Sequence, residues 1–401
     1  MLIVQKYGGT SVGSLERIEK VARRVARSRD AGNELVVVVS AMSGETNKLI
    51  EYAHHFSRTP SKREMDILLS SGERVTASLL AIALQEMGYD AIAMTGRQAG
   101  IKTDDSHTYA RIESIKTEAV ERELEKGRIV IVAGFQGISE SGNVTTLGRG
   151  GSDLSAVALA GALKADACEI YSDVDGIYTT DPRIEPKARK LDFISYDEML
   201  ELSSLGAKVL QNRSVELAKK MGVKIVAKSS FSDSEGTIIA QEDEKMEAVL
   251  VSGIALDKNQ ARVSLRDLPD RPGIAAEIFD RLAKEQINVD MIIQNASREG
   301  MTNLGFTVPQ SELARAAKVI ESTGQEIGSA DYDENVCKVS VVGVGMKSHS
   351  GIAAEAFKAL AANNINIEMI STSEIKISMI IDEKFGELAV RVLHEVYELD
   401  K

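Results

Sequence analysis

The sequence predicts an α/β protein with a mostly parallel sheet in a three-layer α/β/α arrangement, followed by two smaller α+β modules. Between residue 1 and about residue 240, short apolar runs rich in β-branched residues alternate with longer stretches of helical period. Such alternation is typical of parallel strands whose helices cover both faces of the sheet. A charged run at 241–247 is interpreted as a linker, because the segment after it contains an internal repeat.

The elements of the first region follow from residue type and period. Ser152 and Ser195 stand at the start of two helical stretches and are expected to be N-caps. Ligands of parallel sheets bind beyond the carboxyl ends of the strands, so the polar loops there are the candidate sites. Strands are predicted for the β-rich runs at 2–4, 35–39, 91–94, 129–133, 169–172 and 224–227. Helices are predicted for the periodic stretches at 15–29, 62–87, 108–126, 152–164 and 195–221.

The internal repeat is the least ambiguous pattern in the chain. Gly273-Ile-Ala-Ala-Glu-Ile-Phe corresponds to Gly351-Ile-Ala-Ala-Glu-Ala-Phe, and Ile287-Asn-Val-Asp-Met-Ile corresponds to Ile365-Asn-Ile-Glu-Met-Ile. The first copy has predicted strands and helices in the order 261–266, 273–285, 288–295, 303–308, 311–322 and 326–332. The second copy follows the same order at 337–343, 351–363, 365–371, 375–381 and 385–397, and lacks the last strand.

The missing strand predicts an interleaved domain order. The apolar run at 248–256 has no evident partner, so we expect it to complete the second module, with the first module inserted. The predicted domains are 1–240 for the first region, 241–247 for the linker, 261–335 for the first module, and 248–260 with 336–401 for the second.

Composition excludes several classes of function. The chain has 401 residues and a formal net charge of −12, which repels nucleic acid and anionic membranes. Cys168 and Cys337 are the only cysteines, so neither a disulfide framework nor a thiolate metal site can form. The N-terminus has no basic region and no signal-type apolar run. We therefore expect a cytoplasmic protein without nucleic-acid or membrane partners.

The first polar loop, Lys6-Tyr-Gly-Gly-Thr-Ser-Val-Gly, follows a strand and precedes a helix, a context that suits phosphate. Lys6 would add a positive charge on a transferring phosphoryl group. A tight turn without a ligand explains the glycines equally well. Gly9-Thr-Ser-Val-Gly13 also matches the nucleophile elbow of α/β hydrolases, but only eight residues precede Gly9, too few for the strand and loop that complete an oxyanion hole.

Four further loops carry candidate side chains. Ser40 to Asn47 follows the second strand, although its hydroxyls also suit a helix cap. Glu73 follows Gly72, a glycine that costs helix stability, yet an exposed charge pair is an equally good interpretation. Thr145 to Asp153 combines three glycines with Arg149 and is predicted to bind a carboxylate. The acidic segment Tyr171 to Arg183 suits either a nucleotide or a simple turn.

Six motifs in this order resemble those of the aspartate kinases of the amino acid kinase family. The repeat resembles the paired, ferredoxin-like ACT modules of that family, through Asp270-Arg-Pro-Gly, Ile287-Asn-Val-Asp, Met346-Lys-Ser-His-Ser-Gly and Ser371-Thr-Ser-Glu. The motifs are Lys6-Tyr-Gly-Gly-Thr-Ser, Val38-Val-Ser-Ala-Met-Ser-Gly-Glu-Thr, Gly72-Glu-Arg, Gly148-Arg-Gly-Gly-Ser-Asp, Ser172-Asp-Val-Asp-Gly-Ile-Tyr-Thr-Thr-Asp-Pro-Arg and Gly206-Ala-Lys-Val-Leu.

The resemblance implies phosphorylation of the L-aspartate side-chain carboxylate by ATP with Mg²⁺, the first step towards lysine, threonine and methionine. A carboxylate with a reference pKa of about 4 needs no general base. By resemblance, Lys6 and Lys208 would neutralise the phosphoryl charge and Asp173 would orient both lysines. The implied ATP site comprises Lys6, Tyr7, Gly8, Gly9, Ser172, Asp173, Tyr178, Asp181, Arg183 and Lys208. The implied aspartate site comprises Ser40, Thr46, Glu73, Arg149, Gly150, Gly151 and Ser152, with no confident metal ligand among the protein side chains.

The resemblance also implies feedback regulation by lysine, threonine or both at the repeat. Dimerisation alone is the simpler role for these modules, and a catalytically silent amino-acid sensor is the alternative for the whole chain. Met246 follows residues whose codons could encode an internal ribosome-binding site, so a hetero-tetramer with a short chain stands beside a homodimer. Departures from the family pattern occur at Gln211, Asn212, Lys228 and Ser350. The implied effector positions are Asp270, Gly273, Ile274, Asn288, Asp290, Gln294, Ile352, Ala353, Asn366, Ile367 and Ser373.

Overall fold

The computed structural model describes residues 1–204, 209–242, 250–295, 300–322, 328–347 and 351–401. These residues form two compact units. The first contains 1–177, 190–203 and 209–242, and the second contains 178–189 together with the described residues from 250 onward. The segment 178–189 therefore folds with the C-terminal part of the chain, although the sequence places it within the first region.

The first unit is built on a mostly parallel eight-stranded sheet, as predicted. The strands of this unit, which belong to two sheets, are β1 (Leu2–Tyr7), β2 (Glu34–Val39), β3 (Ala91–Met94), β4 (Ile101–Thr103), β5 (Ile112–Ile115), β6 (Ile129–Ala133), β7 (Gln136–Ser139), β8 (Val144–Thr146), β9 (Ala167–Ser172), β10 (Phe193–Ser195), β11 (Ile225–Ser229) and β12 (Thr237–Ala240). The sheet order is β10-β12-β11-β9-β1-β2-β6-β3, in which only the β11–β12 pair is antiparallel. A second, four-stranded sheet has the order β5-β4-β7-β8.

The register of the central strands brings their carboxyl ends to one edge of the sheet. Tyr7 is paired with both Val39 and Tyr171, and Val39 is paired with Ala133. The loops that follow β1, β2, β6 and β9 therefore start side by side. The helices of this unit are α1 (Leu15–Asp30), α2 (Glu45–Phe56), α3 (Lys62–Leu69), α4 (Ser71–Glu86), α5 (Glu118–Glu125), α6 (Gly151–Ala162), α7 (Tyr196–Ser204) and α8 (Asn212–Met221).

Helices α1 and α4 cover one face of the sheet because their apolar stripes are buried against β1, β2 and β6. Val21, Val25, Leu80 and Leu84 join Leu35 and Ile131 in one buried cluster, the arrangement expected of amphipathic surface helices. Across the described residues, the stretch Lys62–Glu86 is the one helical segment long and apolar enough to span a membrane, and half of that window is buried in the protein. This is weak support for a membrane span, since a core helix has the same composition.

Three predicted helices differ from the observed ones. The stretch 62–87 is divided at Ser70, whose carbonyl accepts a hydrogen bond from the Gln136 side chain at 2.8 Å. The stretch 108–126 begins with strand β5, because pairing with β4 overrides the local helical period, and only α5 is helical. The stretch 195–221 contains α7 and α8 as separate helices, with 205–208 outside the described residues.

The two predicted N-caps have different outcomes. Ser195 caps α7 in a capping box: its hydroxyl accepts from the Glu198 amide at 3.3 Å, and the Glu198 carboxylate accepts from the Ser195 amide at 3.1 Å. Ser152 is not the cap of α6, because the helix begins one residue earlier, at Gly151. The cap position belongs to Gly150, whose φ of 72° lies in the left-handed region that favours glycine.

The second unit contains one six-stranded antiparallel sheet covered by helices. Its strands are β13 (Gly253–Pro269), β14 (Ile292–Gln294), β15 (Met301–Val308), β16 (Ser329–Val342), β17 (Met369–Thr372) and β18 (Lys376–Asp382), and its helices are α9 (Ile274–Lys284), α10 (Leu313–Glu321), α11 (Ile352–Ala362) and α12 (Gly386–Val396). The order is β14-β15-β13-β16-β18-β17. Each repeat packs its helices on its own buried apolar cluster.

Two long strands, β13 and β16, run through both repeats. The run at 248–256 and the strand at 261–266 were predicted separately, but 253–269 is a single strand with irregular pairing near Gln260. Its first half pairs with the end of β16, as in Gly253 with Val342, and its second half pairs with the start of β16 and with β15. A shared sheet therefore joins the repeats, and residues 248 and 249 lie outside the described part.

Candidate functional site

A cavity of about 290 Å³ opens in the first unit, at the edge where β1 and β2 end. Its walls come from the loops after β1 and β2, the first turn of α4, and the loop that leads into α6. All seven residues predicted to bind aspartate line it. The complete lining is Lys6, Gly9, Ser40, Ala41, Met42, Ser43, Gly44, Thr46, Glu73, Phe135, Gly148, Arg149, Gly150, Gly151, Ser152 and Asp153.

Lys6 carries the positive charge deepest in this cavity. It belongs to β1 and is buried, and its Nζ lies 2.5 Å from Oδ1 of Asp153. Asp153 lies in the first turn of α6, where a negative charge interacts favourably with the helix dipole. Because both groups are largely removed from water, each stabilises the charge of the other. The pair holds the Lys6 ammonium in one position at the cavity wall.

The observed ion-pair partner of Lys6 is Asp153, whereas the resemblance implied Asp173 as the residue that orients it. Asp173 follows β9 with an exposed side chain, and the described residues include no ion pair between it and Lys6. Asp153 was absent from the predicted site, although it closes the Gly148-Arg-Gly-Gly-Ser-Asp motif. A helix that starts beside the end of a strand can direct its third residue towards that strand, and Asp153 is the third residue of α6. This is the signal by which Asp153 could have been predicted. Lys208, the second predicted lysine, lies outside the described residues.

The glycine loop after β1 forms a turn whose first amide is already bonded. The Gly8 amide donates to the Tyr171 carbonyl at 3.1 Å, and the Ser11 amide donates to the Gly8 carbonyl at 2.9 Å. Gly8, which the resemblance places in the ATP site, therefore already has its amide bonded within the protein. Gly9 lines the cavity, and a Cβ there would lie 3.0 Å from the Ala41 carbonyl oxygen. Its role is close approach to the loop after β2.

The side chain of Tyr7, a residue implied for the ATP site, lies in the core. Its side chain is fully buried and stacks on Tyr171 with ring centroids 4.7 Å apart. Burial raises the pKa of the Tyr7 hydroxyl well above its usual value. Only its backbone can therefore face a ligand.

Glu73 brings a buried carboxylate to the cavity. It is 3% exposed, and its Oε1 accepts a hydrogen bond from the Ala41 amide at 3.1 Å. Within the described part of the chain, Oε2 has no hydrogen-bond partner. Burial raises the pKa of the Glu73 carboxyl to about 7, against the lowering effect of its backbone hydrogen bonds. An acid in this state is well placed to receive a cationic group.

Gly72 explains how Glu73 reaches the cavity. A Cβ on Gly72 would lie 2.7 Å from Cβ of Ala41, closer than two carbon atoms can pack without a shift. The helix α4 can approach the loop after β2 only because this side chain is missing. The short distance allows the Glu73 carboxylate to bond the Ala41 amide.

Replacing Gly72 by alanine is expected to push α4 away from Ala41. Overpacking of this kind costs roughly 1–3 kcal/mol of stability and would move Glu73 out of position. The melting temperature should fall in thermal denaturation, and the double variant Gly72→Ala with Ala41→Gly should restore most of it. A single variant as stable as the wild type would show that the close approach is not required.

Arg149 is the exposed cation at the mouth of the cavity. It lies between Gly148 and Gly150, whose φ angles of 79° and 72° are left-handed. The structure, in its described ranges, shows no ion pair for this guanidinium. Arginine presents two parallel N–H groups that match a carboxylate. The cavity lining thus contains two cations, Lys6 and Arg149, and two carboxylates, Glu73 and Asp153, of which Asp153 pairs with Lys6.

The remaining predicted nucleotide residues are divided between the two units. Ser172 and Asp173 end β9 and begin its loop in the first unit, with the Ser172 hydroxyl accepting from the Val174 amide at 3.3 Å. Tyr178, Asp181 and Arg183 fold with the second unit. There Arg183 pairs with Asp181 at 2.6 Å.

Hydrogen bonds of Thr179 hold the segment 178–189 in the second unit. Its carbonyl accepts from the Ile254 amide at 2.7 Å, and its hydroxyl lies 2.9 Å from Nε2 of the buried His394. Ile184 packs on the same apolar cluster as α11 and α12. No group of three or more metal-ligating side chains occurs among the residues that the structure covers.

The predicted effector positions group around equivalent points of the two repeats. Gly273 and Gly351 precede α9 and α11 with φ angles of 99° and 112°, and neither position would crowd a Cβ. The side chains of Ile274 and Ile352 are buried in the two cores. The exposed positions are Asp270, Asn288, Asp290, Gln294, Asn366 and Ser373, while Ala353 and Ile367 pack partly against the second core.

Two ion pairs link the repeats at equivalent acidic residues. Asp290 pairs with Lys338 of β16, whose side chain is buried. Its counterpart Glu368 pairs with Arg262 of β13 at 3.0 Å. Burial raises the pKa of Glu368, and Arg262 opposes that rise. Each repeat thus supplies an acid to a base on a strand of the shared sheet, and neither Lys338 nor Glu368 was predicted.

Comparison with known families assigns both parts of the chain. The amino acid kinase family model matches residues 1–229, and the ACT domain model matches residues 266–323 and 339–397. These matches cover most of the first unit and most of both repeats of the second.

Individual relatives agree with the family matches. The chain is 60% identical to an aspartokinase of Helicobacter pylori over 405 residues, covering 100% of both chains. It is 26% identical to Escherichia coli aspartokinase III in complex with aspartate and ADP, with a TM-score of 0.78 and 99% of each chain covered. The same Escherichia coli protein in complex with lysine and aspartate gives a TM-score of 0.78, with 98% of this chain and 99% of that one covered.

Proposed function

The chain belongs to the aspartokinases of the amino acid kinase family, and from this we propose that its cavity is where ATP phosphorylates the side-chain carboxylate of L-aspartate. The product is 4-phospho-L-aspartate, formed with ADP. The observation that carries the proposal is the set of charged groups that line this one cavity: the Glu73 carboxylate, the Arg149 guanidinium, and the Lys6 ammonium paired with Asp153.

The charges match the substrate group by group. L-Aspartate has one ammonium and two carboxylates, and Glu73 would receive the ammonium. Arg149 would bind the α-carboxylate through two N–H groups, leaving the side-chain carboxylate towards Lys6. Ser40, Thr46 and the backbone of Gly150 to Ser152 would complete the site. Opposite charges at separate points fix the orientation of the acceptor.

The chemistry then requires positioning and charge neutralisation. The acceptor carboxylate is ionised at neutral pH, so no side chain has to remove a proton. One oxygen of that carboxylate forms a bond to the γ-phosphorus as the bond to the β-phosphate oxygen breaks. Lys6, held by Asp153, would stabilise the charge on the phosphoryl oxygens. We propose the same role for Lys208.

Mg²⁺ would be held chiefly by the nucleotide phosphates and water. This fits the donor set of the described residues, where no cluster of three metal-ligating side chains occurs, because Mg²⁺ commonly uses one or two carboxylates plus phosphates. When bound it neutralises charge on the phosphates. The Gly9 loop, Ser172 and Asp173 of the first unit are proposed to face the nucleotide.

The test is formation of aspartyl hydroxamate from ATP, Mg²⁺, L-aspartate and hydroxylamine by the full-length protein. An aspartate kinase gives a product that depends on both substrates. A catalytically silent sensor, the alternative function, would bind amino acids and form none. Absence of hydroxamate from a folded protein that binds ATP would contradict the proposal.

The ACT repeats are proposed to inhibit the reaction when lysine, threonine or both bind at the exposed effector positions. An effector must bind two states of the protein with different affinity in order to regulate it. Titrating hydroxamate formation with lysine, threonine and the mixture would identify the effector. Flat curves in all three titrations would leave the repeats with dimerisation alone.

We propose that the chain forms a homodimer through the ACT repeats. We also propose the interleaved domain order, in which 261–335 form the first module and 248–260 together with 336–401 form the second. Ile292 and Ile370, at equivalent places in the repeats, are exposed on the outermost strands β14 and β17. Exposed apolar residues on an edge strand favour association. The alternative assembly is a hetero-tetramer with a short chain that starts at Met246. We propose a cytoplasmic location for either assembly. N-terminal sequencing and the mass of the native assembly distinguish these two.

A further inference from the structure

Arg213, in the first turn of α8, connects two segments next to the cavity. Its Nη1 donates to the Leu147 carbonyl at 2.6 Å, and its Nη2 donates to the Ala110 carbonyl at 3.0 Å. Its guanidinium also lies over the Tyr109 ring, 4.5 Å from the centroid. Arginine is suited to this double contact because its N–H groups diverge from a rigid plane. Both terminal nitrogens of the guanidinium thus donate hydrogen bonds to backbone carbonyls.

Leu147 immediately precedes the loop that carries Arg149. The Ala110 amide donates to the Thr146 carbonyl at 2.9 Å, so the segment around Ala110 lies against the end of β8. Asp66 fixes the same segment from the other side, since its carboxylate accepts from the Thr108 amide at 3.0 Å and from the Thr146 hydroxyl at 2.5 Å. The backbone just before the loop is therefore held by hydrogen bonds to the carbonyl groups of Thr146 and Leu147.

The two left-handed glycines of the loop are enclosed by the same elements. A Cβ on Gly148 would lie 2.6 Å from Cδ2 of Tyr109, and a Cβ on Gly150 would lie 1.9 Å from Cγ of Gln211. Tyr109 and the Gln211–Arg213 turn thus enclose the backbone on both sides of Arg149. The departure from the family pattern at Gln211 fills space against Gly150.

We propose that Arg213 is a positioning residue for acceptor binding, which holds the Gly148–Ser152 loop so that Arg149 meets the α-carboxylate of L-aspartate. This rests on the proposed function of the cavity. Arg213 itself contacts neither substrate: it acts through the Leu147 and Ala110 carbonyls and through Tyr109. Loss of the two guanidinium hydrogen bonds would let the loop move and would weaken binding of the acceptor more than binding of the nucleotide.

The test variant is Arg213→Lys, which keeps the charge but cannot bond both carbonyls in one plane. We expect the KM for L-aspartate to rise about tenfold, the loss of roughly one hydrogen bond, with the KM for ATP within twofold of the wild type. The matched control is Arg122→Lys on the exposed face of α5, which should leave both KM values unchanged. Thermal melting and circular dichroism of both variants establish that they are folded.

Each outcome decides the proposal. An unchanged KM for L-aspartate in folded Arg213→Lys would overturn it. An equal rise in both KM values with a lower melting temperature would also overturn it, since Arg213 would then serve stability alone. A wild-type protein that forms no aspartyl hydroxamate would overturn the proposed function and this inference together, whereas a normal wild type with an unaffected variant overturns only the inference.

Discussion

Replacing Lys6 by alanine is expected to lower kcat about 10²- to 10³-fold, the usual effect of removing one charged donor from a developing transition-state charge. Lys6 is buried at the cavity wall and paired with Asp153, so water cannot simply take its place. L-Aspartate is held by other groups in our account. Its KM should therefore change little, and the loss should appear in kcat measured by hydroxamate formation.

Two variants separate this effect from a general loss of charge. Asp153→Asn keeps the shape of the side chain but leaves Lys6 without its anion, and kcat should fall about tenfold or more because the ammonium is no longer fixed. Lys20→Ala, on the exposed face of α1, should match the wild type. Full activity of folded Lys6→Ala would remove Lys6 from the phosphoryl site.

Below neutral pH, the KM for L-aspartate is expected to rise because Glu73 becomes protonated. Burial raises the pKa of this carboxyl to about 7, and only the ionised form can pair with the substrate ammonium. L-Aspartate itself does not titrate between pH 6 and pH 8. With a pKa of about 7, roughly a tenth of the carboxyl is ionised at pH 6, so KM should be about tenfold higher at pH 6 than at pH 8.

The control for this pH dependence is Glu73→Gln, which keeps the hydrogen bond from the Ala41 amide. Its KM should be about 10- to 100-fold higher at pH 8 and should not vary with pH. Raising the pH improves substrate binding but lowers the stability of the fold, because the folded Glu73 carboxyl binds its proton more tightly than the unfolded one. The free energy of unfolding contributed by Glu73 therefore falls as pH rises from about 4.5 to 7. A KM that is flat with pH in the wild type would contradict the assignment.

The predictions that succeeded rested on features that one strand or one loop contains in itself. The alternation of β-rich runs predicted the parallel sheet, and the loops at the carboxyl ends of β1 and β2 meet at one edge as expected. The predicted aspartate-binding residues from the loop after β2, the first turn of α4 and the segment that leads into α6 line one cavity. Residue type and order were sufficient because ligand groups in such sheets collect at strand ends.

The failures came from contacts between distant segments. The stretch 108–126 has a helical period, yet its first part becomes β5 because β4 pairs with it. The partner of Lys6 depends on which face of α6 meets β1, and this placed Asp153 there instead of Asp173. The Tyr7 side chain stacks on Tyr171 in the core, a contact that its motif does not indicate. None of these contacts is encoded by local spacing.

The repeat gave an intermediate result. Its order of strands and helices was correct, but the separate strands at 248–256 and 261–266 are parts of one strand, β13. The predicted strands leave out Asp257 to Gln260, whereas pairing with β16 carries β13 across these residues with irregular register. Sequence period alone cannot distinguish a break from a bulge.

Binding of L-aspartate in this one cavity, with Arg149 on its α-carboxylate, is the central proposal. The direct measurement is the KM for L-aspartate of Arg149→Ala and of wild type, from hydroxamate formation at saturating ATP. We predict a rise of at least about tenfold, the loss of a charged hydrogen bond, with the KM for ATP unchanged. An unchanged KM for L-aspartate in folded Arg149→Ala would place the acceptor site elsewhere.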